Sequence, residues 1–147
     1  MIKSQDPFWK TTTLESLEKD QWESLCDGCA KCCLLRFEDN LTREIFYTNV
    51  CCRYLDPTHC RCLDYRNRTE NVPECVTVTM GILKDPYWLP STCAYRLLAE
   101  EKDLPWWHPL VSGSPDTVVE SGNSVMGRVV NELEAENLDH YLIDWIS

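Results

Sequence analysis

The sequence predicts a small, single-domain α+β fold with a cysteine-rich segment over about residues 26–93, and three observations predict it. A chain of 147 residues has the length of one domain, able to bury roughly two thirds of its unfolded surface around a single core. Hydrophobic residues make up 44% of it, including six Trp and six Tyr, which fill a packed core rather than a disordered sulfur-rich coil. Short segments with helix caps alternate with a β-branched and aromatic stretch, and the ten cysteines fall inside that mixed pattern.

Residues 12–25 carry two candidate capping boxes, Thr12 with Glu15 and Asp20 with Glu23, around Leu14, Leu17, Trp22 and Leu25. They predict a helix in two short pieces that delivers the chain to Cys26 at a helix-to-loop junction. Gly28 supplies the backbone freedom a loop wrapping an ion needs. Residues 43–54 are rich in β-branched and aromatic side chains and contain no Pro or Gly, which favours a strand over a helix starting at Thr42. A turn at Asp56, Pro57 and Thr58 leads into Cys60-Arg61-Cys62, so 52–62 reads as one loop returning three sulfurs toward the first cluster. Thr92 is placed to cap a helix over 93–101, with Leu97 and Leu98 inward and Cys93 in the first turn, where the helix dipole favours a thiolate. The run Leu104-Pro105-Trp106-Trp107-His108-Pro109-Leu110 is a proline-bracketed aromatic loop. A short strand over 125–130 and an amphipathic helix over 139–146 close the chain, which shows no repeat, linker or low-complexity tract.

The chemistry lies in Cys26, Cys29, Cys32 and Cys33, a CxxCxxCC cluster followed by cysteines at 51, 52, 60, 62, 75 and 93. Two sulfurs two residues apart turn toward one ion without straining the backbone, and a third extends the wrap into a soft cage. The amino terminus lacks the basic start, apolar stretch and cleavage site of a secretory signal, so a reducing cytoplasm is expected, where clustered thiols serve metals or redox chemistry rather than disulfides. No apolar run approaches the ~20 residues that span a bilayer, so no membrane is expected. A net charge of -10 opposes nucleic acid. His59, His108 and His140 are scattered and do not form the histidine pair of a zinc finger.

With these residues in place, the chain resembles the uncharacterised bacterial proteins of the YcgN type, within the broader YkgJ-like cysteine-cluster group described as zinc- or iron-chelating. The resemblance runs from Pro7-Phe8-Trp9 through Trp22 to Cys29 and Tyr47-Thr48-Asn49-Val50 to the stretch from Leu89 to Glu100. The group's signature looks like Cys26, Cys29, Cys32 and Cys33, then Cys52, then Cys62-Leu63-Asp64-Tyr65 with Arg68, and finally Cys75. Cys60 and Cys93 match the YcgN-like pattern, whereas Cys51 departs from it. The resemblance therefore implies metal chelation through Cys26, Cys29, Cys32, Cys33, Cys52, Cys60, Cys62, Cys75 and Cys93, and supplies no reaction. The cluster is also similar to one in a flagellin lysine methylase, which implies that such a motif can accompany chemistry.

Nine candidate thiols exceed the four that one tetrahedral zinc needs, so they supply two four-cysteine sites or one site with structural extras. Zinc explains a closed cage that stabilises a loop-rich middle segment. Iron explains the CxxCxxC spacing, with Cys52, Cys75 or Cys93 as remote fourth ligand of an iron–sulfur cluster, although the ferredoxin continuation C-x3-C-P is missing. Adjacent Cys32 and Cys33 point in different directions and rarely serve one ion. The leading expectation is a zinc- or iron-chelating protein. The alternatives are a metalloenzyme or redox protein using the same cysteines, and a thiol-redox sensor. Blander readings stand beside these: buried thiols as small hydrophobes, His108 as a structural loop histidine, His59 as a turn residue, Trp88, Trp106 and Trp107 as core cover. In the same spirit, Arg61, Arg66 and Arg68 read as surface charge compensation, and Glu132, Glu134, Glu136 and Asp139 as a solvated face. The metal ion is the one partner the sequence names.

Overall fold

A computed structural model describes residues 7–56, 61–72, 75 and 78–146, and shows a small α+β domain. Two short helices, α1 (Phe8–Thr11) and α2 (Lys19–Ser24), flank a 3-10 turn at Leu14–Ser16. The capping box belongs to Glu18 and Gln21, not to the pairs expected from Thr12 and Asp20: the Gln21 side chain accepts from the Glu18 backbone amide at 3.1 Å. Thr13 and Ser16 instead bond to each other.

A 3-10 turn at Lys31–Cys33 runs straight into β1 (Leu34–Glu38), which pairs antiparallel with β2 (Ile45–Cys51). The strand expected over 43–54 is thus present, trimmed at both ends. Asp39 accepts from the amides of Leu41 and Thr42 and turns the chain between the two strands. β3 (Leu55–Asp56) and β4 (Arg61–Cys62) form a two-residue antiparallel pair, followed by α3 (Arg68–Asn71) and α4 (Met80–Leu83). The helix after Cys93 is α5 (Ala94–Ala99). Its fully buried residues are Ala94 and Tyr95, while Leu97 and Leu98 are only half-buried, so the inward face is shifted from the expected one.

Helices α6 (Pro109–Ser112) and α7 (Asp116–Glu120) follow the aromatic loop. The strand expected over 125–130 is confined to β5 (Val130–Asn131), which lies parallel to β2 through Val50 and Cys51. Val125 is instead a fully buried loop residue. The closing helix expected over 139–146 is a 3-10 turn at Leu138–Tyr141. Beyond it the chain extends to lay Leu142 against Thr48, and the amide of Ile143 bonds the Tyr47 carbonyl at 3.0 Å. A backbone bond to the sheet outweighs the weak propensity of so short a segment.

Two cores result. The sheet core gathers Ala30, Leu34, Tyr47, Cys51, Leu55, Val125 and Ile146. The helical core gathers Leu25, Leu83, Leu89, Ala94, Tyr95 and Leu104, with Trp9, Trp22 and Leu98 packed against it. The cysteine loop leaves Leu25 in one core and enters Leu34 in the other, so it is suspended between them.

Candidate metal centre

The loop 26–33 is fixed through its carbonyl groups. At its start the fully buried His108 donates from Nε2 to the Leu25 carbonyl at 2.7 Å, and its Nδ1 accepts from the Leu110 amide at 3.0 Å. Both ring nitrogens are consumed, so this imidazole clamps the chain, the structural loop role read for it from the sequence. Further along, the Val125 amide donates to the Cys29 carbonyl at 3.1 Å. Arg36 donates to the Cys32 carbonyl at 2.6 Å and to the Trp88 carbonyl at 2.7 Å, with its guanidinium 5.0 Å from the ring centres of both Tyr47 and Trp88. The Cys52 amide donates to the Cys33 carbonyl at 2.9 Å.

Within the loop, Asp27 accepts from the Cys29 amide at 3.0 Å. Gly28 at φ 75° and Ala30 at φ 63° take left-handed backbone on either side of Cys29. Glycine adopts this freely, whereas alanine does so at a cost of about 1 kcal/mol, met here by burying its methyl in the sheet core. Lys31, only 2% exposed, sends its ammonium to Thr92 Oγ1 at 2.7 Å and Asn123 Oδ1 at 3.1 Å. Thr92 therefore anchors the cysteine loop and does not cap α5, where Cys93 is the N-cap residue. Burial lowers the Lys31 pKa, opposed first by Cys29 and then by Asp27.

The nine described cysteines, Cys26, Cys29, Cys32, Cys33, Cys51, Cys52, Cys62, Cys75 and Cys93, are all free thiols. Their electrostatic neighbours fall into two neighbourhoods. Desolvation pushes Cys26, an otherwise exposed residue, up to about 12, and Cys32 and Cys93 add to that. Burial raises Cys29 strongly, with contributions from Asp27 and Cys32. It also pushes Cys93 up to about 11, which overrides the thiolate-favouring first-turn position expected from the sequence, although the amides of Arg96 and Tyr95 act against it. In the second neighbourhood Cys33 is raised by its hydrogen bond to Cys32 and by burial, then by Cys32, Cys52 and Cys75. Burial raises Cys52, with Cys62 adding, and raises Cys75, where Arg68 opposes and Cys32, Cys62 and Cys52 add.

The exposed Cys32 joins the two groups. The hydrogen bond from Cys33 brings its thiol down to about 7, and Arg36 helps. Cys51 is 2% exposed and packs in the sheet core. Cys60 and His59 lie outside the described residues. The donor set is all sulfur, which suits a soft ion such as zinc or the iron of a cluster. Among the described residues no three of these side chains already stand around one point as a metal would require. A cleft of about 460 Å³ opens beside Cys26, Asp27 and Gly28, walled by Arg61, Pro109 and Val118.

The sequence reading singled out the thiols. It missed Lys31, Arg36 and Asn123, whose polar side chains look like ordinary surface residues until the fold buries or stacks them. Among the described residues no helix is long and apolar enough to cross a membrane.

No family model and no solved structure matches the chain. It is 53% identical to a UPF0260 protein of Parvibaculum lavamentivorans, over 99% of this chain and 96% of that one. It is 54% identical to a UPF0260 protein of Rhizorhabdus wittichii, over 94% of each. A UPF0260 protein of Gluconacetobacter diazotrophicus is 53% identical over 95% of this chain and 87% of the relative. Identity at that level over nearly the whole chain leaves one conclusion: the chain belongs to the UPF0260 family.

Proposed function

We propose that this chain is a cysteine-ligated metal-binding protein of the bacterial cytoplasm, holding zinc or iron through the thiols between residues 26 and 93. The observation that carries the reading is the loop 26–33, whose carbonyls at Cys29, Cys32 and Cys33, like that of Leu25 just before it, are each held by a different part of the fold. That restraint keeps four thiols on one short, anchored loop, and a metal would still have to draw them together, since among the described residues no three of them surround one point. The resemblance to the YcgN type and the YkgJ-like cysteine-cluster group supports the same reading. A bound metal supplies four strong bonds to sulfur, and a cluster would in addition supply electrons. The chain's own part is to hold the thiols in reach and to set cations beside them, Lys31 and Arg36 near the loop and Arg68 near Cys75.

The test is substitution within the loop. Cys29→Ser and Cys32→Ser should each release metal and lower the melting temperature. Full metal content and an unchanged melting temperature in both variants would end the reading. Reversible loss of free thiols under oxidant, in a chain that never held metal, would replace it with a thiol-redox sensor. A second reading, a metalloenzyme or redox protein on the same cysteines, draws on the cleft beside Cys26, which has room for a small substrate.

A further inference from the structure

The ladder between β1 and β2 ends on two cysteines set face to face. Leu34 stands opposite Cys51 in the antiparallel register, so the next step outward brings Cys33 opposite Cys52. The Cys52 amide donates to the Cys33 carbonyl at 2.9 Å, which fixes that step. Opposed residues joined by such a bond hold their Cα atoms about 5.5 Å apart, inside the span of about 4.4 to 6.8 Å that a disulfide bridges. Their Cβ atoms lie about 5 Å apart on one face of the ladder, so closing the bond asks for a shift of about 1 Å. Both residues are half-buried, against full burial for Cys51, and a small oxidant reaches them.

Among the described residues no other two cysteines are opposed in this way. Cys51 faces Leu34 on one side and Asn131 on the other, and Cys62 faces Leu55. The Cys33 thiol also bonds to that of Cys32, yet neighbours in sequence have Cα atoms only about 3.8 Å apart across a trans peptide, too close for a relaxed disulfide. Cys32 is thus a hydrogen-bond partner of Cys33, whereas Cys52 stands where a covalent partner belongs. Cys33 also sits where the cysteine loop ends and β1 begins. A bond there pins the loop to the end of β2.

We propose that Cys33 and Cys52 form a reversible disulfide when the chain meets hydrogen peroxide, and that this bond switches the cysteine loop out of its metal-holding state. The second half rests on the metal-binding reading above, since two sulfurs bonded to each other are lost to a metal. In the first step one thiolate attacks the peroxide: an S–O bond forms, the O–O bond breaks, and the leaving hydroxide takes a proton to become water. In the second step the opposing thiolate attacks the sulfenic sulfur. The S–S bond forms, the S–O bond breaks, and a second water leaves. Two thiols give up two electrons and two protons, and the peroxide is reduced to two waters. A dithiol reductant reverses the bond by exchange.

The experiment treats the reduced, metal-free full chain with one equivalent of hydrogen peroxide, blocks the remaining thiols by alkylation and maps tryptic peptides by mass spectrometry. The expected result is that peptides 32–36 and 44–53 are joined, lighter by two hydrogens than their sum, with fragment ions placing the bond at Cys33 and Cys52. The link should persist in Cys32→Ser and Cys51→Ser, vanish in Cys33→Ser and Cys52→Ser, and open with dithiothreitol. A bond placed at Cys32 or Cys51, or Cys33 and Cys52 alkylated as fully as in untreated chain, would overturn the pair. The wild-type fragment map decides this even where a variant fails to fold. In zinc-loaded chain, peroxide should release zinc in step with the link. A link that forms with all zinc retained would overturn the switch and leave the pair standing. A chain that forms the link yet takes up neither zinc nor iron would overturn the metal-binding reading and the switch with it, again leaving the pair.

Discussion

The two flanks of the cysteine loop are built to different standards. On the Cys93 side the loop leans on the helical core, held by the fully buried Leu25 and His108 and by a lysine that is itself buried. On the Cys52 side the chain between 52 and 75 offers Leu55 as the one buried residue among those described, with Leu63 and Tyr65 exposed. A two-residue strand pair and a single turn of helix do not hold themselves together in water. The contrast teaches that packing shapes the first flank, whereas the second depends on something other than a core, and sulfur-to-metal bonds are the available source.

Stripping metal with a chelator under reductant should therefore show the largest difference. We expect the amides of Cys52, Leu63 and Cys75 to exchange with solvent about tenfold faster or more, while the amides of β2 stay protected. Equal loss across both regions, read by hydrogen exchange, would dissolve the comparison. His108→Ala strikes the packed flank alone. It leaves the Leu25 carbonyl unpaired and opens a cavity, and should cost about 3 kcal/mol in a denaturant titration, with the metal count per chain unchanged.

Lys31→Met has a smaller and more local effect. Removing the buried cation should weaken metal binding by about tenfold, as competition with a chromophoric chelator would report. Unchanged affinity would show that the packed flank does not reach the metal. Alkaline pH tests the contribution of one buried thiol on the packed flank of the metal-free chain. Burial holds the Cys93 thiol up at about 11 against the ordinary 9.0, so the folded chain keeps a proton that the unfolded chain has released. Its stabilising effect is complete below about pH 9 and is lost as the pH rises to about 11. Cys93→Ala should flatten that fall in a melting-temperature series. Ala30→Gly is the smallest effect: relief of left-handed backbone and loss of a buried methyl nearly cancel, within about 0.5 kcal/mol.

The strand at Ile45–Cys51 and the helix-to-loop junction before Cys26 were legible because β-branched runs and helical apolar spacing are local signals, although the capping box falls at Glu18 and Gln21 and not at the pairs expected. β1 was not, since Leu34 to Glu38 has no alternation and becomes a strand only by pairing with β2. The final segment misled because its apolar spacing suits a helix, yet the edge of β2 at Thr48 takes its backbone instead. Thr92 looked like a cap and became the seat of a lysine, a contact that spans 61 positions and that no window of sequence contains. The thiols were visible from their spacing, and their grouping was not, because it depends on which carbonyl Cys52 meets.

The central claim is that these cysteines hold a metal. Its most direct measurement is the zinc, iron and acid-labile sulfide content per chain of the anaerobically purified protein, taken with the number of thiols that react before and after denaturation. The account predicts stoichiometric zinc, or iron with sulfide and a brown chromophore, and thiols that stay masked until the metal leaves. A chain free of metal, with its surface thiols reacting at once, would contradict it.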